Sequence, residues 1–359
     1  MDEITMLSKH GLRCIDLILR ELMACNVPFG GKVIVIGGDW RQTLPVVPKG
    51  ERIDIIEICL KSSFLWSSFE TISLVSNMRN EGDVQFNHWL LDIGAGNVSP
   101  TEEIPNDAVQ IPTSIVHQGN LIGTIFDANI NRMSPIELAK RVILAPTNKD
   151  ILEINRIIIG QQEGTAKVYY STDSLQSEDV NDNYAYPVEH LYTLNPSGVP
   201  PHVLYLNPGT IVMLLRNLNP GKGLCNGTRM IVKTLHASFI TCEILSECHR
   251  GDVVCIPRIN FAPSDSNYPF ILKRRQYPVV PAFAMTINEA QGQTFERVGV
   301  LLNSPVFCHG QLYVALSRTR NPNFVKIRIM ETEGQGCNKN MWFTRNIVFR
   351  EVIENEIEI

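Results

Sequence analysis

Residues 37–42 read Gly-Gly-Asp-Trp-Arg-Gln and follow the apolar run Val33–Ile36. In open α/β sheets ligands sit at the carboxyl ends of strands. An acid, a guanidinium and an amide gathered there can hold phosphate and orient water, which marks Asp39 and Gln42. Pro146, Thr147 and Asn148 end a second apolar run in the same way. Asp2 and Glu3 form an acidic pair ahead of ITML. Such a pair suits metal-assisted phosphoryl transfer: the aspartate engages a divalent cation and the glutamate takes a proton from the attacking water. Taken alone, an Asp-Glu dipeptide is more often surface charge.

Further stretches supply context. AMTINEAQGQTFERVGVLL (284–302) sets Gln291, Gly292, Gln293 and Thr294 between a predicted helix and a strand, where small hydrogen-bonding residues can touch phosphate and backbone. Arg318 stands near the C-terminal end of the helix in GQLYVALSRTR, and Arg79 just past a strand in LVSNMRN. Two arginines on one domain facing acids and an amide on another would stabilise charge on a γ-phosphate across a cleft. Arginine suits the task because its planar fork grips phosphate oxygens bidentately. A single arginine is more often a surface ion pair, so the joint pattern carries the reading.

The elements that must position these groups follow from periodicity. Ser8 and the apolar spacing Leu12, Ile15, Leu19, Leu22 predict a helix over 8–23. Strands are predicted over 32–36 and 71–75, and a helix near 83–93. A second α/β unit begins near residue 79, with strand 141–148 followed by a helix. Residues 203–282 change to short apolar runs between Gly, Asn and Pro turns, which predicts a small β-barrel or SH3-like insert. The α/β pattern resumes with helix 285–292, strand 297–302, helix 309–318 and strand 324–330. The acidic end, FREVIENEIEI, is expected to fray.

The composition, 44% hydrophobic and 19% charged, is that of a globular chain with room for two domains. No stretch approaches the roughly 20 apolar residues of a membrane span. MDEITMLSKHG does not read as an export signal, and nine cysteines then suggest free thiols in a reducing compartment. Cys242, Cys248 and Cys255 near His249 lack a CxxC pair, so buried or surface thiols are a better reading than zinc. The net charge is −5, but residues 205–282 hold nine Lys/Arg against four Asp/Glu, leaving −10 for the remainder. A local basic surface suits a phosphate backbone better than the global sum suggests. Lys273, Arg274 and Arg275 are its densest run and are candidates to track phosphate; a solvated strand end is the bland alternative.

With these stretches in hand, the sequence resembles the PIF-type helicases of superfamily 1, most closely the form found in Helitron-like transposons. The likeness rests on DEITML, GGDWRQTLPVV, LVSNMR, LAPTNKDILEIN, LLRNLNPGKGLCNGTR, LKRRQYPVVPAFAMTINEAQGQTF, LYVALSR and TRNIVFREVI, in order along nearly the whole chain. The resemblance implies an α/β fold of two RecA-like P-loop NTPase domains, the first incomplete, with a small SH3-like β insert in the second. The domains would be 1–78, then 79–204 with 283–332, the insert 205–282 and a tail 333–359. It implies 5′-to-3′ unwinding driven by ATP and Mg²⁺, acting on single-stranded DNA and duplex junctions as a monomeric motor. Roles in DNA repair, recombination and telomere maintenance, and a nuclear or otherwise soluble intracellular setting, come with the family.

Residue by residue, the resemblance makes Asp2 the Mg²⁺ ligand, Glu3 the base for water and Gln42 the γ-phosphate sensor. Arg79 and Arg318 become arginine fingers. Asp39, Gln291 and Gly292 would face nucleotide; Gln291 to Thr294 would couple it to the DNA grip. Thr147, Asn148, Thr286 and Thr294 would contact the DNA backbone. Two departures stand out: Glu289 where the family carries a basic residue, and Trp40 in place of the more usual Phe.

A third departure is larger. The family's phosphate cradle is GxxxxGK[ST], a nest of backbone amides with one lysine. Gly31-Lys32 has Asn26 and Val33 at the outer positions, and Gly221-Lys222 has Arg216 and Gly223. Without that loop and the strands around it, strand 32–36 is expected to lack neighbours, the first domain to be incomplete, and the chain alone not to hydrolyse ATP appreciably. A non-catalytic single-stranded-DNA-binding remnant is the alternative reading.

Overall fold

Ser8 opens the first helix by accepting the Gly11 amide on its hydroxyl at 3.2 Å. The computed structural model describes residues 1–74, 84–98, 103–127, 130–176, 186–196, 198–263 and 268–354. Helix α1 spans Lys9–Met23, as its cap and spacing predict, but its inward face differs from the expected stripe. Leu12 is buried, Leu22 is exposed, and Asp16 points inward. The Asp16 carboxylate accepts the Phe29 amide at 2.6 Å and Arg20 Nε at 3.0 Å. Burial opposes its ionisation, but these bonds and the Arg20 charge win and hold its pKa below the ordinary value. A buried acid thus ties the helix to the turn that follows.

Along the chain come α2 (Arg52–Ile58), α3 (Val84–Ala95), β1 (Ala108–Ile111), α4 (Leu121–Phe126), α5 (Pro135–Ala139), β2 (Arg141–Ala145) and α6 (Asn148–Gln161). Then follow β3 (Lys167–Tyr170), β4 (Thr172–Gln176), α7 (Val188–Thr193), β5 (Val203–Leu206), β6 (Ile211–Leu214), β7 (Arg229–Leu235), β8 (Phe239–Ile244), β9 (Val253–Pro257) and β10 (Ile259–Phe261). The remainder is β11 (Ile271–Gln276), β12 (Val279–Pro281), β13 (Ala284–Thr286), β14 (Arg297–Leu302), α8 (Gln311–Leu316), β15 (Val325–Ile329), β16 (Gln335–Asn338), β17 (Met341–Arg345) and α9 (Arg350–Glu354).

The chain divides into two units. The first holds residues 1–121, 144–148 and 286–359, the second 122–143 and 149–285. This division shares out, between both units, the residues expected to form one second domain. A four-stranded sheet runs β13-β2-β14-β15, with β14 and β15 parallel. In the first unit β1-β17-β16 form an antiparallel sheet. The second unit holds the five-stranded antiparallel sheet β12-β6-β7-β8-β9, the sheet β10-β11-β4 and the pair β3-β5. Strand β6 is buried at all four positions, and its Val212 and Leu214 join Val232, Ile240 and Cys242 in the core of this unit.

Several sequence expectations are corrected. Residues 32–36 form no strand: Val33 is 92% and Val35 76% exposed, and bonds from Gly37 to Met1 and Ile4 tie down the end of the segment. Residues 71–74 are likewise outside any strand, and position 75, the last of that predicted strand, lies outside the described residues. The predicted helix 285–292 is instead the end of β13 followed by turns. Thr286 and Glu289 exchange side-chain and backbone bonds there, and Gly292 turns the chain at φ +76°. The tail is held in place as far as residue 354. Gln335 Nε2 bonds the Leu302 and Met330 carbonyls, β17 pairs with β1, and Phe349 and Val352 are buried with Leu44 and Cys59.

Candidate active site

The first unit brings together the loop 37–43, the acidic pair and the QGQT segment. Asp39 anchors the loop. Its Oδ1 accepts the Arg41 amide at 3.1 Å and Arg41 Nε at 2.8 Å, and its Oδ2 accepts the Tyr313 hydroxyl at 2.9 Å. The Arg41 guanidinium lies 5.8 Å from the Tyr313 ring centroid. Burial works against the Arg41 charge, but Asp39 outweighs it and raises the arginine pKa. Burial, reinforced by the Asp39 charge, drives the Tyr313 phenol far up, so it stays protonated and donates. Gly94 is needed beside them, since a Cβ there would lie 2.9 Å from both Arg41 Cβ and Tyr313 Cδ2.

Glu3 adopts a left-handed backbone, φ 50° and ψ 41°, a conformation that costs a non-glycine residue about 1–2 kcal/mol. Its Oε2 accepts Gln291 Nε2 at 2.9 Å. The same glutamine accepts the Thr43 hydroxyl on its Oε1. Gly292 stands beside this carboxylate: a Cβ on it would lie 3.4 Å from Glu3 Oε1. Gln42, next to Thr43, has a buried Oε1 without a hydrogen-bond partner, an orphaned acceptor of the kind a bound ligand or water satisfies. Asp2 is exposed, and its Oδ1 accepts the Glu3 amide at 3.0 Å. Among the described residues no group of three or more His, Cys, Asp or Glu could hold a metal. A cation at Asp2 would therefore rest on one carboxylate plus phosphates and water, which is the habit of Mg²⁺. The donor set fits that ion.

The loop is held from below by His309, which is buried. Its Nδ1 accepts the Phe349 amide at 2.8 Å. The proton therefore sits on Nε2, which donates to the Trp40 carbonyl at 2.8 Å. Gly310 follows at φ +71°, and a Cβ there would lie 2.4 Å from the Arg41 carbonyl oxygen. No other residue type allows so close a backbone approach.

Arg318 is almost wholly buried in the same unit. Its Nε donates to the Val314 carbonyl at 2.9 Å, one terminal nitrogen to Ser317 Oγ at 2.8 Å and the other to the Gln293 carbonyl at 3.4 Å. The guanidinium thus faces the end of the preceding helix, α8, and the QGQT segment. Arg79 lies outside the described residues. Thr147 is half-buried, Asn148 opens α6 at the surface, and Thr294 is exposed. Thr286 is engaged with Glu289: its amide bonds the carboxylate at 2.9 Å and its hydroxyl accepts the Glu289 amide at 3.1 Å. That closed turn accounts for an acid at position 289.

In the second unit the basic run divides. Strand β11 alternates, with Lys273 and Arg275 exposed and Arg274 fully buried. Arg274 is therefore removed from the candidate phosphate contacts. Its Nη2 meets Asp173 Oδ2 at 2.6 Å, and its other donors reach the Leu191, Leu194 and Pro200 carbonyls. The period of two in a strand, which puts consecutive residues on opposite faces, is the reason. Sequence reading also passes over Thr43, His309 and Tyr313. Tyr313 lies inside LYVALSR and Thr43 directly after Gln42, so their neighbours flag the place; nothing local marks His309.

The fold is that of Pif1 helicase structures. The chain matches the Bacteroides Pif1 described as in complex with ADP-AlF3 and ssDNA at TM-score 0.67 and 24% identity, covering 99% of this chain and 73% of that one. It matches the structure of two coordinating Pif1 helicases at forked dsDNA at TM-score 0.64 and 24% identity, covering 92% of this chain and 68% of that one. Residues 1–104 match the family described as PIF1-like helicase, and residues 189–235 the DNA helicase Pif1 2B domain. The ATP-dependent DNA helicase PIF1 of Danio rerio is 27% identical, over 89% of this chain and 44% of its own length. That of Bdellovibrio bacteriovorus is 28% identical, over 89% of this chain and 63% of its own length. The chain thus spans less than two thirds of either relative. Over residues 1–104 and 189–235 the chain is similar to the PIF-type helicases.

Proposed function

We propose that residues 1–359 carry the phosphate-sensing and strand-holding part of an ATP-dependent 5′-to-3′ DNA helicase. The observation that carries this reading is Gln291, whose amide donates to Glu3 and accepts from Thr43. One residue of QGQT thereby joins the candidate base to the loop that bears Gln42, so displacement of either is felt by the other. ATP with Mg²⁺ supplies the phosphoanhydride bond that is broken. Asp2 would hold the cation, Glu3 would take the proton of the attacking water, and the Gln42 amide would sense the γ-phosphate. Asp39, through Arg41 and Tyr313, keeps the loop in place. Arg318 reaches a phosphate only by exchanging its bonds to Val314 and Ser317, which makes it a group that engages on conformational change. Arg79 is the second proposed finger.

Thr147, Asn148, Thr286 and Thr294 are the proposed contacts of the first unit to a single-stranded DNA backbone, and Lys273 and Arg275 are, separately, the proposed phosphate contacts of the second. A nuclear setting and monomeric action complete the reading. Among the described residues no helix is long and apolar enough to cross a membrane. The absence of GxxxxGK[ST] within these 359 residues favours a second reading, a passive binder of single-stranded DNA.

Binding of a labelled single strand by the 1–359 chain, measured against salt, tests both. The log–log slope is expected to flatten by about 0.7 for each phosphate that Lys273→Ala or Arg275→Ala leaves unneutralised. Failure to bind single strands at low salt sinks both readings. A non-hydrolysable ATP analogue that shifts DNA affinity supports the motor; indifference to nucleotide supports the passive binder. No appreciable ATP turnover is expected from this chain alone, and DNA-stimulated turnover at ordinary helicase rates would overturn that expectation.

A further inference from the structure

The second unit contains a cavity of about 250 Å³ that none of the residues assigned above lines. Ile159 of α6 and Leu204 of β5 give it apolar walls, and Tyr192, His202, Arg156 and Tyr205 supply its rings and polar groups. Tyr192 and His202 stack with centroids 3.8 Å apart and planes 12° from parallel. The Arg156 guanidinium lies 6.0 Å from the centroid of the Tyr205 ring, and its side chain is exposed.

His202 is fixed from behind by a buried relay. Arg274 and Asp173 form an ion pair with no side-chain exposure. Asp173 Oδ1 accepts the Ser171 hydroxyl at 2.5 Å. The single Ser171 proton is thereby committed, so its oxygen accepts from His202 Nδ1 at 2.8 Å. Burial, only partly opposed by the Asp173 charge, lowers the His202 pKa and favours the neutral ring. In that ring Nδ1 holds the proton and Nε2 is an acceptor. The chain Arg274–Asp173–Ser171 thus fixes the orientation of the His202 ring.

We propose that this cavity binds an amino-bearing nucleobase whose attached phosphate is taken by Arg156. The flat aromatic and apolar walls suit a ring, His202 Nε2 suits an N–H donor, and an exposed guanidinium suits the phosphate. The inference shares no residue with the nucleotide or strand contacts proposed above and does not rest on them. The base belongs either to a free mononucleotide or to a strand, and the chemistry at the cavity is the same.

The test is titration of the full chain with dAMP, with adenosine and with oligo(dA), followed by NMR at the Tyr192 and His202 rings. We expect dAMP to bind and Tyr192→Ala to weaken it about tenfold or more. Adenosine should bind more weakly than dAMP, and Arg156→Gln should bring dAMP down to the adenosine level. Lys273→Ala with Arg275→Ala should leave dAMP affinity unchanged. Displacement of dAMP by oligo(dA) at these rings identifies a strand base as the ligand; binding of dAMP without displacement identifies the mononucleotide. No dAMP binding at millimolar concentration, or affinity unchanged in both Tyr192→Ala and Arg156→Gln, overturns the proposal. Thermal unfolding of both variants near the wild-type temperature keeps misfolding from imitating a loss of binding.

Discussion

Gly310→Ala separates a contact argument from a purely conformational one. A Cβ at Gly310 lies 2.4 Å from the Arg41 carbonyl oxygen and 2.7 Å from the Gln42 carbonyl carbon and oxygen. These are backbone atoms, so no rotamer change relieves the clash. The local backbone is also pinned, with Gly310 N bonded to the Ile347 carbonyl at 3.0 Å and His309 bonded to Trp40. A left-handed alanine costs about 1–2 kcal/mol, and prising apart a well-packed contact adds about 1–3 kcal/mol. The sum, roughly 2–5 kcal/mol, is a large share of a typical stability of about 5–15 kcal/mol. Gly292 is the control. Its φ of +76° carries a similar backbone penalty, but its nearest neighbour is Glu3 Oε1 at 3.4 Å, the end of a flexible side chain. Urea unfolding followed by tryptophan fluorescence reads both variants, since Trp40 lies in the loop that Gly310 touches. Gly310→Ala should lower the midpoint clearly more than Gly292→Ala at equal slope. Equal midpoints would refute the claim that the 41–42 backbone sits against position 310.

His309 gives a pH dependence with a definite sign. Burial, aided by Arg52 and opposed by the Trp40 carbonyl, Asp39 and Glu351, pushes its pKa down to about 4. The unfolded value is about 6.5, so the unfolded chain takes up a proton that the folded one refuses as pH falls from 6.5 toward 4. Stability present above that window should drop across it by on the order of 3 kcal/mol. His309→Gln should flatten the drop in urea midpoints measured between pH 7.5 and pH 5, and an unchanged profile would assign it to other groups. Asp173→Asn leaves Arg274 buried with three carbonyl partners and no counter-charge, and should cost about 3–5 kcal/mol. Replacing both partners by Leu and Met should cost less, and a double variant no better than the single one would show that packing rather than charge is at stake.

The site is legible where chemistry is local. Residue type and spacing mark Glu3, Asp39, Gln42 and Gln291, and the first unit does gather them. The cap at Ser8 is readable for the same reason. What depends on neighbours is less visible. Val33 and Val35 look like a buried strand by composition, but a strand requires at least one paired neighbour; here Val33 and Val35 face solvent while only Ile34 and Ile36 pack inward. Helix 285–292 does not form because Thr286 and Glu289 close a turn on themselves and Gly292 takes positive φ. The acids of the tail suggest fraying, whereas Phe349 and Val352 bury against Leu44 and Cys59, some three hundred residues away in sequence. Alternation along its strand separates Arg274 from Lys273 and Arg275. Its partner Asp173, about a hundred positions upstream, has no such local signal.

The first unit is written in pieces, with residues 1–121 completed only by 144–148 and 286–359. At synthesis rates of about 5–20 residues per second, the opening segment waits on the order of ten seconds or more for its closing partners to leave the ribosome. Through that interval Leu44 and Cys59 lack Phe349, and Trp40 lacks His309, so the nascent chain exposes surface that invites chaperones. A nascent chain stalled before residue 286 should be cut by protease within 1–121, while a chain extended past residue 354 and clear of the ribosome should be protected; resistance in the stalled chain would mean that 1–121 folds unaided.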